Sequence, residues 1–172
     1  FQLGSSVMFL AKKELSSSLK QLKRYKNIRY VLGRHDLINF QNADMVIKAA
    51  GVPLDSPYVA EARKNKIPVE MDASLFARLT PATIVGITGT RGKSTVTQLV
   101  YSILKTAKKK VFLGGNVRGL ATLPLLEKAK KGDYVVLELD SWQLQGFGDS
   151  KLSPHIAVFT TFLDDHLNYY KG

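Results

Sequence analysis

The sequence predicts an α/β fold built on a mostly parallel sheet. Two observations point there: short apolar or β-branched runs alternate with amphipathic helical stretches, and a glycine-rich loop joins one such run directly to a long helical stripe. From the N-terminus, Val7 to Lys13 running into Glu14 to Tyr25 reads as helix, with Leu15, Leu19 and Leu22 on one stripe. Asn27 breaks it, and Ile28 to Leu32 reads as a strand closed by Gly33. Met45 to Ala49 reads as a second buried strand, ending at Gly51-Val52-Pro53. Ser56-Pro57 places a capping hydroxyl before a proline at the first helical position and opens a helix to about Lys66. Val69 to Met71 is a brief strand, and Asp72 caps a helix reaching Leu79.

Thr80-Pro81 marks a break. After it, Thr83 to Thr88 is a β-branched run, and Ser94 to Lys108 carries Val96, Leu99, Val100, Ile103, Leu104 and Ala107 at the spacing of a helix packed on a sheet. Val111 to Leu113 reads as a strand, Gly114-Gly115-Asn116 as a turn, and Leu120 to Lys130 as a helix. Tyr134 to Leu139 and Ile156 to Thr160 are further strands.

The chain has 172 residues with a formal net charge of +11, 45% hydrophobic residues and no cysteine. That composition fits a globular chain with a real core, and it excludes a disulfide scaffold, a thiolate metal site and a cysteine nucleophile. No apolar run approaches the ~20 residues that span a bilayer, so membrane insertion is not expected and the cytoplasm is the expected compartment. The basic excess is spread evenly, with 13 basic and 7 acidic residues up to position 82 and 12 and 7 beyond it. Lys108-Lys109-Lys110 and the group Lys128, Lys130, Lys131 follow expected helix ends, where cations suit the dipole and water; nucleic acid is not an expected partner.

Gly86 to Thr95 reads GITGTRGKST between a strand and a helix. A glycine-rich loop in that place turns backbone N–H groups toward one point, and the helix N-terminus adds positive potential, so the segment suits a phosphate. Lys93 supplies a charge for the β- and γ-phosphates, and the Ser94 hydroxyl is placed for Mg²⁺. The general P-loop pattern wants glycine at position 87, which is Ile87 here, so the loop is a variant.

The variant Thr88-Gly89-Thr90-Arg91-Gly92-Lys93-Ser94 resembles the ATP loop of the Mur ligases and the related folylpolyglutamate synthases. Around it, Gly51-Val52-Pro53-Leu54-Asp55-Ser56-Pro57, Ile67 to Val69, Leu75-Phe76-Ala77, Gly114-Gly115-Asn116-Val117, Glu138 to Leu144 and Asp165-His166-Leu167-Asn168 resemble, in family order, motifs of the Mur ligases that add D-glutamate to UDP-N-acetylmuramoyl-L-alanine. The resemblance implies a Rossmann-like UDP-substrate domain over residues 1–82, apparently incomplete, and the N-terminal part of the central ATPase domain over 83–172. It also implies a C-terminal ligase domain absent from this chain, which is then expected to be inactive alone and monomeric.

The implied chemistry is ATP-dependent joining of a carboxylate to the D-glutamate amine through an acyl phosphate, a step of peptidoglycan precursor synthesis that serves cell shape and division. Phosphoryl transfer of this kind rests on positioning and charge neutralisation. By resemblance Gly89, Thr90, Arg91, Gly92, Lys93, Ser94 and Thr95 hold ATP, and Ser94, Glu138 and His166 hold Mg²⁺. Lys93, Asn116 and His166 act at the reacting groups, while Gly51 and Asn116 meet the UDP substrate. Bland alternatives stand beside three of these: a strand-end surface carboxylate for Glu138, a structural histidine for His166, and ordinary turn chemistry for Asn116.

The chain departs from the family pattern in several places. Ala49-Ala50 precede Gly51 where Ser-Pro is usual, Asp140 and Thr161 stand where Ser and Asn are usual, and Asn168 replaces Asp. Phe1 to Ser6 reads as a reduced first strand and loop, and the family's next strand, toward the uridine, is not found between Lys13 and Glu14: either residues are omitted there or the UDP pocket is incomplete. The alternatives are another Mur-type ligase or a folylpolyglutamate synthase and, from another class, a basic P-loop protein that binds nucleic acid.

Overall fold

A computed structural model describes residues 7–11, 20, 22, 25–53 and 55–165. These form two compact units, one of residues up to 46 together with 55–68, the other of 47–53 together with 69–165.

In the first unit, strand β1 (Val7–Ala11) pairs in parallel with β2 (Ile28–Leu32), Val7 opposite Ile28. This corrects the helix expected from Val7 onward. A five-residue apolar run satisfies helix and buried-strand patterns equally, and pairing with β2 decides for the sheet. The remainder of that expected helix lies largely outside the described residues. A 3-10 turn (Leu37–Phe40) and helix α1 (Pro57–Lys64) complete the unit. Pro57 sits in the first turn, where its missing N–H costs nothing, and α1 buries Val59 and Ala62. Tyr58 packs edge-on against His35 (ring centroids 5.1 Å apart) and lies 5.2 Å from the Phe40 ring.

Strand β3 (Val46–Ile47) leads into the second unit, where the Lys48 N–H donates to Glu70 O of β4 (Val69–Glu70). Helix α2 (Asp72–Leu79) follows at once, its first turn closed by the Ser74 hydroxyl, which accepts from the Met71 N–H. The buried Glu70 carboxylate gathers Arg78 and the hydroxyls of Ser74 and Ser150. Three donors compensate a charge that would otherwise be costly to bury.

The centre of this unit is a four-stranded parallel sheet of β5 (Thr83–Thr88), β6 (Val111–Gly115), β7 (Tyr134–Glu138) and β8 (Ile156–Phe159), in the spatial order β6-β7-β5-β8. Alternation along the strands divides two apolar faces. Ile84, Val135 and Leu137 join Ala73 and Phe76 of α2, Leu125, Ala129 and Phe147 on one face. Val85, Ile87 and Val136 meet Val96, Val100 and Leu104 of helix α3 (Lys93–Thr106) on the other. Helices on both faces of a parallel sheet explain why its strands read as continuous apolar runs.

Asp72, expected to cap α2, is its first residue, with Met71 in the cap position. Two further expectations are corrected in this unit, and one helix is added. The helix expected over Leu120 to Lys130 is a 3-10 segment, Leu123–Glu127, with Pro124 at its start; a left-handed Gly119 before it and Gly132 after it leave little room for a longer helix. The stripe on α3 is only partly covered, because Leu99 and Ile103 are each 57% exposed while Val96, Val100 and Leu104 pack on the sheet. Helix α4 (Ser141–Asp149) was not expected; its Gly146 and Gly148 lower helical propensity and hide the pattern.

The basic clusters lie on solvent-facing turns. Lys108, Lys109 and Lys110 follow α3 exposed, and Lys110 pairs with Asp133 at 3.2 Å. The backbone N–H of Lys130 and the ammonium of Lys110 hold the Asp133 carboxyl below its ordinary range. No helix among the described residues is long and apolar enough to cross a membrane.

Candidate active site

Strand β5 lies between β7 and β8, so the ends of three strands open at one edge of the sheet. Ligands of open α/β sheets bind at such carboxyl ends. Here the loop after β5, the first turn of α4 after β7, and residues 160–165 after β8 converge. Gly89 (φ +132°) cannot be replaced cheaply, because a Cβ would stand 2.2 Å from Thr160 Oγ1 and 2.8 Å from Thr161 N. Gly92 precedes α3 in the left-handed region.

Lys93 begins α3 and folds back over the loop, its Nζ donating to Gly89 O at 2.8 Å and Thr90 O at 3.2 Å. A cavity of about 220 Å³ is lined by Gly89, Thr90 and Lys93 from the loop, by Asp140 and Ser141 from the start of α4, and by Asp165, among others. Arg91, Gly92, Ser94 and Thr95 are exposed on the loop and the first turn of α3. The N–H groups of that turn precede the first helical bond, from Val96 N–H to Gly92 O, and the helix dipole favours an anion there.

A second cavity, of about 680 Å³, lies across Asp140, which lines both. Asn116 lines it, held where β6 ends: its N–H donates to Glu138 O at 2.7 Å. The preceding Gly115 must be glycine, since at φ +78° its Cβ would lie 2.1 Å from that same carbonyl. Lys48, Ala49, Ala50, Arg118 and Gln143 also line this cavity. Lys48 and Arg118 give it two cations suited to an anionic substrate. Gly51 is exposed and does not line it. Glu138 ends β7 with a buried side chain that lines neither cavity. His166 and Asn168 lie outside the described residues.

Asp140, a departure from the family pattern in sequence, is a site residue in the structure. Its carboxylate accepts from the Gln143 N–H at 2.7 Å while Gln143 Oε1 receives the Asp140 N–H at 3.3 Å, a reciprocal cap on α4. Asp-x-x-Gln before an apolar residue is a helix-start pattern that could have revealed both the helix and the residue. Asp140→Ala is expected to cost ~1 kcal/mol of stability, whereas Asp140→Asn keeps the cap at little cost; urea unfolding of the two variants measures the difference.

The donor set is compatible with Mg²⁺. Every candidate ligand among the described residues is a hard oxygen, from Ser94, Glu138, Asp140 or Asp165, and none is a sulfur. Among those residues no group of three or more carboxylates or histidines gathers. Mg²⁺ at a nucleotide needs none, because it takes one or two protein oxygens and completes its shell with phosphates and waters.

Comparison with known proteins matches the Mur ligase middle domain to residues 87–172, a span that begins inside β5 and takes in the loop, Asn116, Glu138 and Asp140. The chain belongs to the Mur ligase family. Among its relatives is the UDP-N-acetylmuramoylalanine--D-glutamate ligase of Borreliella burgdorferi (strain ZS7), 40% identical over 158 residues that cover 91% of this chain and 34% of the relative. The proteins of the same name from Roseiflexus sp. (strain RS-1) and Geobacillus kaustophilus (strain HTA426) are 40% and 36% identical, covering 82% and 98% of this chain. The chain spans about a third of the length of these curated relatives. A solved pseudomurein peptide ligase type C from Methanothermus fervidus aligns with 94% of this chain and 34% of its own at 23% identity, with a TM-score of 0.39.

Proposed function

We propose that this chain is part of an ATP-dependent ligase that adds D-glutamate to UDP-N-acetylmuramoyl-L-alanine in peptidoglycan precursor synthesis. The observation that carries the reading is Asp140 lining two cavities at once, one containing the phosphate loop and Lys93, the other containing Asn116, Lys48 and Arg118. A ligase of this kind must bring the γ-phosphate of ATP to a substrate carboxylate, and adjoining pockets meet that need. The names carried by relatives at 36–40% identity favour this substrate pair over the folate alternative.

On this reading Gly89 to Thr95 cradle the triphosphate, and Lys93 gives up its two carbonyl partners to meet the β- and γ-phosphates. Lys48 and Arg118 balance the charge of the UDP substrate, and Asn116 orients it. Mg²⁺ would supply charge neutralisation on the transferred phosphoryl group; Ser94, Glu138 and His166 are the residues that would hold it, Glu138 by turning its buried carboxylate toward the loop. The substrate carboxylate attacks the γ-phosphorus and ADP leaves; the D-glutamate amine then displaces phosphate from the acyl carbon. The UDP-substrate domain lies within residues 1–82, of which 69–79 pack with the sheet of the ATPase domain, and 83–172 form the front of that domain, in a monomeric cytoplasmic enzyme.

Substrate choice is tested by equilibrium binding of UDP-N-acetylmuramoyl-L-alanine and of a folylglutamate to the folded chain. The UDP compound is expected to bind and the folate not; selective binding of the folate would replace this reading with the folylpolyglutamate synthase alternative.

A further inference from the structure

Thr161 faces the phosphate loop from outside, and its contacts are unusually complete. Its carbonyl oxygen accepts from the Thr90 N–H at 2.8 Å, and its hydroxyl accepts from the Arg91 N–H at 2.9 Å and lies 3.2 Å from Arg91 O, placed to donate to it. The two peptide units involved, Gly89–Thr90 and Thr90–Arg91, are the ones whose carbonyls receive Lys93 Nζ. Neither is cis. In a planar trans peptide the C=O and N–H point in opposite directions. Lys93 and Thr161 therefore grip the same two peptide planes from opposite sides, and the Thr90 and Arg91 amides face away from Lys93.

We infer that Thr161 is a positioning residue for the phosphate cradle and, until nucleotide arrives, for Lys93, acting through those two peptide planes. The inference rests on the ATP-loop reading above and adds a division of labour within the loop. The donors for phosphate begin at Gly92 and continue into α3, whereas the Thr90 and Arg91 N–H groups are committed to the strut. Thr160 and Leu163 brace the same contact: the Thr160 hydroxyl donates to Arg91 O at 2.6 Å, and the Leu163 N–H donates to Thr90 Oγ1 at 3.0 Å. The strut also accounts for a departure from the family pattern. An asparagine at 161 offers a side-chain acceptor and donor for Arg91 N–H and O, and the threonine hydroxyl supplies both with one atom.

Thr161→Val keeps the shape and removes the hydroxyl. It is expected to weaken Mg²⁺·ATP binding about 10-fold, through loss of the two hydrogen bonds between the hydroxyl and Arg91 and of loop preorganisation. Thr161→Asn and Thr161→Ser are expected to bind like the parent chain. An unchanged affinity in Thr161→Val overturns the inference, and so does a tighter one, which would mean that Thr161 blocks amides meant for phosphate. Amide hydrogen exchange on the unmutated chain gives a second reading that survives any folding defect in the variant. The Thr90 and Arg91 amides should be protected before nucleotide is added and unchanged after it, while Gly92 to Thr95 gain protection. Unprotected Thr90 and Arg91 amides in the free chain overturn the strut. If the parent chain binds no ATP, the ligase reading fails instead, and exchange in the free chain still tests the strut.

Discussion

Replacing Lys93 by alanine should remove ATP-dependent ligation, by a factor on the order of 10² to 10³ or more, the loss expected when one preorganised charge is taken from a phosphoryl-transfer site. The stability change should be small by comparison, under about 1 kcal/mol, because the two hydrogen bonds lost are part-buried contacts to loop carbonyls. Lys93 Nζ is positioned by Gly89 O and Thr90 O, and these are the contacts that an incoming phosphate exchanges for its own oxygens. Rates in a ligation-competent form, with a thermal melt of each variant, separate the two effects. Full activity of Lys93→Ala would remove the residue from the mechanism.

The second large effect is on folding. Phe76 is fully buried in the face that carries Ile84, Val135 and Leu137, although it precedes the Thr80-Pro81 break. Phe76→Ala is expected to cost about 3–5 kcal/mol, the range for deleting a buried aromatic ring. That is a large share of the ~5–15 kcal/mol that holds an ordinary domain together. Denaturant unfolding measures it. A loss below about 1 kcal/mol would mean that α2 does not share the core of the sheet, since surface substitutions fall in that range.

The parts of the fold that rest on local chemistry were legible in the sequence. Gly92-Lys93-Ser94 after a β-branched run identified the strand, loop and helix, because each residue type there has a separate physical reason. The parts that rest on distant partners were not. Val7 to Ala11 satisfied two periodicities, and only the parallel partner Ile28 to Leu32 chooses between them. Leu99 and Ile103 belong to the apolar stripe by spacing, yet whether a flank of a stripe is covered depends on the neighbours of the helix. Thr161 looked like a departure from a pattern; its role lies in contacts to residues 70 positions away. Asp140 was the reverse case, since its pairing with Gln143 is local and was available to be read.

The most direct test of the ATP-loop reading is calorimetric titration of the folded chain with a nonhydrolysable ATP analogue, with Mg²⁺ and with a chelator. Saturable binding is expected, strengthened by Mg²⁺ and abolished by Lys93→Ala. A chain that melts cooperatively yet shows no heat of binding with Mg²⁺ present, or binds the analogue equally well without Lys93, would contradict that reading.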